Sequence, residues 1–287
     1  MKKPHSPTLR LRRLAAELKQ ARENAKFTVS QAGERLGWTA SKISKIETTE
    51  TKRITPGDLD KMLSLYKITD PDKREALHAL ARDAKERGWW TKYRDIFGAQ
   101  ALPDFEAEAS VIYTFAAMDV PGLLQTPEYA EAVFKGGRYA SPEDIGRRVE
   151  FRMARREVLT KFSPAHLRTV IDEAALRRMI GGREIMIHQL RHLLHMAQLP
   201  NIDIQVLPFE AGAHSGLAAP FTILEFPEPL DTPIVYVGTV TDSVFFEHPE
   251  DIRRYSVTFG DIQGSAYSAA RSAAFIEDLI ESLESAP

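Results

Sequence analysis

The stretch Arg35–Glu47, RLGWTASKISKIE, concentrates hydrogen-bond donors in a few residues. It supplies two serine hydroxyls and two lysine ammonium groups, at Ser41, Ser44, Lys42 and Lys45. Such groups bind the base edges and phosphates of nucleic acids. Ile43 and Ile46, three residues apart, predict that one side of the stretch is buried. The stretch could present polar groups to a phosphate-bearing partner, or it could be an ordinary surface helix in a bundle.

The residues around this stretch contain the start and stop signals of short helices. Thr28-Val29-Ser30-Gln31 has the form of a capping box, which opens a helix. Gly37 is suited to the left-handed turn that ends it. Thr39 is a good N-cap for the next helix. The sequence therefore predicts two helices joined by the turn Gly37–Thr39, which is a helix-turn-helix.

Three further helices are predicted in the N-terminal part. Apolar residues at helical spacing indicate one over residues 8–24. Thr55-Pro56 and Asp70-Pro71 each begin another, with proline at the first helical position. Together they predict a mainly α helix-turn-helix domain of five helices over residues 1–88.

Small and polar residues on the outer side of the third helix would allow it to enter the major groove of DNA. Its N-terminus also favours phosphate. The sequence therefore predicts double-stranded DNA as a partner. The predicted DNA-binding residues are Thr28, Thr39, Ala40, Ser41, Lys42, Ser44, Lys45, Lys52 and Arg53.

Charge is divided unevenly along the chain, whose total net charge is −2. Residues 1–53 contain 13 Lys and Arg and 5 Asp and Glu, a net charge of +8, and the remainder carries −10. Residues 1–53 are therefore basic and the remainder is acidic, which indicates a polyanionic partner for residues 1–53 alone.

Composition excludes several classes of protein. The chain has 287 residues and no cysteine, which removes disulfides, thiol nucleophiles and cysteine-bound zinc. No apolar run is long enough to span a membrane, and the basic start lacks the apolar region of a secretory signal. A cytoplasmic protein is expected.

A linker is predicted at residues 89–102. The rest of the chain contains both helical and strand-like patterns of apolar residues. Helices are predicted at 105–117, 127–134, 142–162, 173–180, 184–198, 249–259 and 266–283. Strands are predicted at 167–171, 202–207, 221–226 and 234–237. Because these strands do not alternate with helices, residues 103–287 are predicted to form an α+β domain with a small, mainly antiparallel sheet.

No set of catalytic residues converges in this second domain. Gly-rich phosphate-binding motifs are absent, and Gly212–Gly216 places serine one position late for a nucleophile elbow. His188, His192 and His195 share one helix face, a spacing that can bind zinc, but they are expected to face solvent, so no metal site is predicted. The histidines could instead sense pH or contact a partner. No enzyme activity and no cofactor are predicted.

Residues 27–47, FTVSQAGERLGWTASKISKIE, resemble the helix-turn-helix of the XRE (Cro/C1-type) regulators. Further segments resemble the actinobacterial WhiJ-like group of these regulators, whose second domain has a poorly understood role. These segments include VPGLLQTPEYA, VIDEAALRRMIGG and LPNIDIQVLPFEAGAH. Ala32-Gly33 replaces a Leu-Ala pair more usual in the family, which predicts looser packing of the second helix.

The residues and the resemblance together predict a sequence-specific DNA-binding transcriptional regulator. It is expected to act as a homodimer on a palindromic operator, with residues 103–287 sensing a ligand or a partner protein. The loops at 120–130 and 207–216 are predicted to line a groove in that domain. The alternative is an antitoxin-like protein that holds a small partner protein encoded nearby and regulates its own gene. A third reading, an enzyme with a DNA-binding head, lacks a catalytic set.

Overall fold

The computed structural model describes residues 7–51, 54–84, 92–93, 102–137, 141–228, 231–239 and 243–285. The chain divides into two compact units, the first covering the N-terminal part up to residue 91 and the second the bulk of the chain from residue 92 onward. The predicted linker, residues 89–102, lies outside the described residues except at 92, 93 and 102. Within the described ranges, no helix is long and apolar enough to cross a membrane.

The first unit is helical. Its helices are α1 (Pro7–Asn24), α2 (Val29–Leu36), α3 (Ala40–Glu47), α4 (Pro56–Leu65) and α5 (Pro71–Asp83). The side chains of Thr55 and Asp70 accept backbone N–H groups at the starts of α4 and α5, and proline follows each of them. These local caps explain why the two helices begin where the sequence predicts.

One apolar cluster holds the first unit together. It joins all five of these helices and the residues between α3 and α4, through Leu14, Leu18, Ala21, Ala32, Ile43, Ile46, Ile54, Leu59, Met62, Leu63, Tyr66 and Leu77. Full burial of a leucine or isoleucine side chain contributes about 1.5–3 kcal/mol. The cluster therefore fixes α3 on the first unit through Ile43 and Ile46 and leaves the opposite side of α3 exposed.

The second unit is built on a six-stranded sheet in the order β3-β2-β1-β4-β5-β6. The strands are β1 (Val111–Ala116), β2 (His166–Asp172), β3 (Ile202–Leu207), β4 (Phe221–Glu225), β5 (Ile234–Gly238) and β6 (Ser243–Phe246). β1, β2 and β3 pair in parallel, whereas the pairs β1–β4, β4–β5 and β5–β6 are antiparallel. The prediction of a small, mainly antiparallel sheet is therefore wrong: the sheet is larger and mixed.

The prediction of the sheet is wrong because the segment 105–117 is predicted to be one helix. The structure has a short helix, α6 (Leu102–Glu108), followed by strand β1. β1 is central, with β2 on one side and β4 on the other, so pairing with distant strands overrides local preference. Once β1 is included, the first three strands do alternate with helices, which explains their parallel pairing.

The remaining helices of the second unit surround this sheet. They are α7 (Pro127–Lys135), α8 (Pro142–Arg155), α9 (Glu173–Arg177), α10 (Arg183–Met196), α11 (Pro249–Ser265) and α12 (Ala269–Ser285). The number of helical segments also differs from the prediction. The described residues include 3-10 turns at 122–124, 156–159, 209–211 and 215–218, of which the second replaces the end of the helix predicted over 142–162.

The two faces of the sheet have different characters. One face packs against α11 through Phe115, Phe221 and Phe259. On the other face, Thr114, Thr222 and Tyr236 are successive register partners on β1, β4 and β5. Because residues paired in register share a face, these three residues form a row of hydroxyl-bearing side chains across the middle of the sheet.

Candidate nucleic-acid interface

The turn between α2 and α3 is fixed by its own residues. The Thr28 hydroxyl accepts the Gln31 N–H at 3.2 Å, and the Gln31 side chain accepts the Thr28 N–H at 2.9 Å. Gly37 has φ +68°, the left-handed conformation that ends α2. The Thr39 hydroxyl accepts the Lys42 N–H at 3.2 Å and begins α3. The capping box, the glycine turn and the second cap were all predicted and are confirmed.

Gly33 brings α2 close to this turn. A Cβ atom at Gly33 would lie 2.9 Å from the Trp38 carbonyl oxygen and 3.2 Å from the Ala40 nitrogen. The absence of a side chain therefore allows two backbone segments to touch. The expectation that Ala32-Gly33 would loosen the second helix is wrong, because the neighbouring backbone fills the space.

The outer side of α3 is exposed, as its sequence predicts. Ile43 and Ile46 are buried in the cluster, whereas the polar and small residues between them are exposed. The exposed predicted residues are Thr28, Thr39, Ala40, Ser41, Ser44 and Lys45. In the described part of the chain the Lys45 ammonium has no ion-pair partner, so it is available to a phosphate.

Lys42 differs from Lys45 although both lie on α3. Its ammonium is 2.9 Å from a carboxylate oxygen of Asp58 on α4 and 3.7 Å above the ring centroid of Trp38. It is only partly exposed. A phosphate could bind Lys42 only by competing with Asp58, so we expect Lys42 to contribute less than Lys45. The predicted residues Lys52 and Arg53 lie outside the described residues.

A buried ion pair anchors α3 to α1, and the sequence analysis missed it. Arg22 donates to the two carboxylate oxygens of Glu47 at 2.7 and 2.9 Å and to the Phe27 carbonyl at 2.6 Å. The hydrogen bond to Glu47 raises the pKa of Arg22 further. A signal was present, because Arg22 follows Leu18 by four residues and so falls on the apolar stripe of α1.

The three histidines of α10 do not converge on a site. His188 and His195 are exposed, and His188 Nδ1 lies 3.6 Å from Glu128. His192 is half-buried beside Arg156, whose guanidinium is 3.0 Å from its Nε2. Burial, with repulsion from Arg156, lowers the pKa of His192 to about 4. No cluster of metal-ligating side chains is present among the described residues.

The loop at Gly212–Gly216 has ordinary structural contacts. The Ser215 hydroxyl donates to the Thr258 carbonyl at 3.3 Å, and Ser215 begins a 3-10 turn. His214 Nε2 lies 3.7 Å from Asp172.

Comparison with known protein families agrees with the division into two units. Residues 13–77 match a helix-turn-helix domain, which includes the whole of α2, α3 and the turn between them. Residues 99–278 match the family described as a domain of unknown function (DUF5753). No curated protein and no solved structure matches the chain significantly. Because the second match covers more than half of the chain, the protein belongs to the DUF5753 family and joins that domain to an N-terminal helix-turn-helix.

Proposed function

We propose that this protein is a sequence-specific transcriptional regulator of the XRE type, of the WhiJ-like group, which reads its operator with α3. The observation that carries the proposal is the outer side of α3. Ser41, Ser44 and Lys45 are exposed there, on a helix that a cap, a turn and a buried ion pair hold in place. A rigid helix with free donors meets the requirement for reading the major groove.

The proposal assigns different tasks to the exposed donors. Lys45 contacts a phosphate, and Ser41 and Ser44 contact base edges. One such helix reads only a few base pairs, so the protein acts as a homodimer. The operator then has two half-sites about 34 Å apart, arranged as a palindrome. The second unit senses a ligand or a partner protein, and the protein works in the cytoplasm.

Operator selection with the full-length protein tests this proposal. Genomic DNA fragments retained by the protein are sequenced, and the affinity for the selected fragment is measured at two salt concentrations. We expect Lys45→Ala to weaken binding, because one phosphate contact is lost. The slope of log affinity against log salt concentration should fall by about one unit. Ser41→Ala and Ser44→Ala should each cost about 1–3 kcal/mol, and only at one or two positions of the site.

Lys19→Ala is the matched control, because Lys19 is exposed on α1, outside α2, α3 and the turn between them. It should leave affinity and salt slope unchanged. Lys42→Ala is less informative, since it also removes the pair with Asp58. If Lys45→Ala and Ser41→Ala bind the selected DNA as the unaltered protein does, α3 is not the reading helix. Sedimentation of the complex as one protein chain per operator would contradict the dimer.

A second candidate function is the antitoxin-like one, in which the second unit holds a small partner protein. The observation that favours it is exposed apolar surface on two neighbouring segments. Leu217 and Val257 expose 70% and 59% of their surface, on the turn at 215–218 and on α11, which pack together. If a small protein copurifies with the unaltered chain and Leu217→Ser abolishes its recovery, this function is supported. If Leu217→Ser leaves its recovery unchanged, this surface does not bind it.

A further inference from the structure

The second unit contains a cavity of about 300 Å³ at the carboxyl end of β1. There the sheet changes from parallel to antiparallel neighbours. The row Thr114, Thr222 and Tyr236 lines one side of the cavity, and α8 contributes Arg152 and Arg155. The volume is at the lower end of the range for small-molecule sites. In open α/β sheets, ligand sites commonly lie outside the carboxyl ends of the strands.

The two arginines of the cavity are in different electrostatic states. Arg155 is paired with Glu106 through two hydrogen bonds of 2.8 and 2.6 Å, which neutralise it. Arg152 donates 2.6 Å to the amide oxygen of Gln125, a neutral partner. Its Nε is buried and has no hydrogen-bond partner in the described residues. Burial, with repulsion from Arg155, lowers the pKa of Arg152 to about 10. Arg152 is therefore a buried cation in the cavity wall. Its hydrogen-bond partner is neutral, and Asp119 and Glu106 attract it without forming an ion pair with it in the described residues.

Asp119 lines the same cavity and attracts Arg152. It accepts a hydrogen bond from Gln125 at 3.3 Å. Burial raises its pKa. Among the described residues, no ion pair joins Asp119 to Arg152. Because the carboxyl group of Asp119 lies in the lining, a second negative charge on a ligand would be repelled, so a ligand with one negative charge fits better than one with two.

The loop that borders the cavity is held in place in advance. Gln125 also donates to the Val120 carbonyl at 2.7 Å, and Gln189 bonds both the Thr126 N–H and the Leu124 carbonyl. Pro121, Gly122 and Leu123 of this loop line the cavity, as predicted for residues 120–130. None of residues 207–216 lines this cavity, and their place in a groove stays a prediction. A fixed loop lowers the entropy cost of binding.

We propose that this cavity binds a small organic acid with a single carboxylate. The carboxylate pairs with the guanidinium of Arg152, and the apolar body of the acid lies against Leu102, Pro121 and Leu123. The hydroxyl-bearing row of Thr114, Thr222 and Tyr236 supplies further hydrogen bonds. The inference deepens the proposed function, and its regulatory meaning rests on that function, because it names the class of ligand that the second unit senses.

Gly238 offers a way to test the cavity without removing Arg152. It lines the cavity, and a Cβ atom there would lie 3.4 Å from the Tyr236 hydroxyl, an ordinary contact. Gly238→Asp therefore adds a carboxylate that competes with the ligand for the same cation. Gly264→Asp is the matched control, because Gly264 is exposed on α11 and a Cβ there meets nothing within 4 Å.

Calorimetric titration of the full-length protein is the experiment. The probes are benzoate, hexanoate and 3-phenylpropanoate, each with its alcohol of the same carbon skeleton. We expect at least one acid to bind saturably and at least tenfold more tightly than its alcohol. Gly238→Asp and Arg152→Met should each weaken that acid at least tenfold, and Gly264→Asp should not. The proposal is overturned if no acid binds, if acid and alcohol bind alike, or if Gly238→Asp binds the acid as the unaltered protein does.

A separate measurement distinguishes failure of the cavity from failure of the sensing role. Operator affinity is measured with and without the bound acid. An acid that binds but leaves operator affinity unchanged supports the cavity and contradicts sensing through it. If no acid binds and operator affinity responds to another molecule, the cavity proposal falls while the proposed function stands.

Discussion

Replacing Glu47 by Gln should strongly destabilise the first unit. The side chains of Arg22 and Glu47 are only 7% and 5% exposed, and two hydrogen bonds join them. The substitution keeps the shape but leaves the buried guanidinium with only the exposed carboxylate of Glu23, 3.4 Å away, as a counter-charge. Breaking a buried pair in this way costs about 3–5 kcal/mol. We expect about 3 kcal/mol, the lower end, because the amide oxygen can still accept one hydrogen bond.

Hydrogen exchange of the full-length protein, measured by mass spectrometry, can assign this loss to the first unit. A loss of about 3 kcal/mol should speed exchange of the slowest amides of α1 and α3 by about a hundredfold. In a helical unit of this size it should also lower the melting temperature by about 12 °C or more. Peptides from the second unit provide the internal reference.

Glu34→Gln is the matched control, because Glu34 is exposed on α2 and the same atoms are exchanged. It should change stability by less than about 0.5 kcal/mol. A double variant, Arg22→Met with Glu47→Met, should be more stable than Glu47→Gln alone, since it buries no uncompensated charge. Equal exchange rates in Glu47→Gln and Glu34→Gln would refute the reasoning that the pair anchors α3.

Three further predictions concern stability. Gly33→Ala should destabilise the protein by about 1–3 kcal/mol in denaturant unfolding, because its Cβ meets backbone, whereas Gly57→Ala, with open space around it, should be neutral or favourable. His192 has a folded pKa of about 4 against about 6.5 when unfolded, so the free energy of unfolding should fall as the pH drops from about 6.5 towards 4. His192→Gln should lose less stability between pH 7 and pH 5 than the unaltered protein, as measured by unfolding at both pH values. Ser272→Ala removes a buried hydroxyl that accepts the Val206 N–H at 2.9 Å, and should cost about 1–3 kcal/mol by thermal unfolding, while exposed Ser282→Ala should not.

The parts of the structure that the sequence predicts well are those decided by neighbouring residues. The caps at Thr28 and Thr39 and the turn at Gly37 depend on hydrogen bonds within three or four residues. Strands β2 to β5 are short apolar runs with clear boundaries, and they are found close to their predicted positions. The exposed side of α3 follows from helical spacing and the two isoleucines.

The parts that the sequence did not predict depend on contacts between distant residues. Arg22 and Glu47 are 25 residues apart, and although Arg22 falls on the apolar stripe of α1, nothing in the sequence indicates that Glu47 is its partner. The pair with Asp58 makes Lys42 less available to a ligand than Lys45, although the two lysines look alike in the sequence. The sequence predicts a helix at β1, because the central place of this strand in the sheet comes from partners far along the chain. The cavity around Arg152 likewise needs α8 and four strands to be placed first.

The chain order of the sheet has a consequence for folding during synthesis. Thr114 of β1 lies beside Thr169 of β2, 55 residues later, and beside Thr222 of β4, 108 residues later. Contacts over 108 residues form slowly, whereas the buried residues of the first unit's apolar cluster all lie between Leu14 and Leu77. The first unit can therefore be complete on the ribosome while β1 still lacks half of its partners. On the proposed function, a nascent chain could hold DNA before its second unit could control it, and the exposed edge of β1 would be a risk of aggregation during that interval.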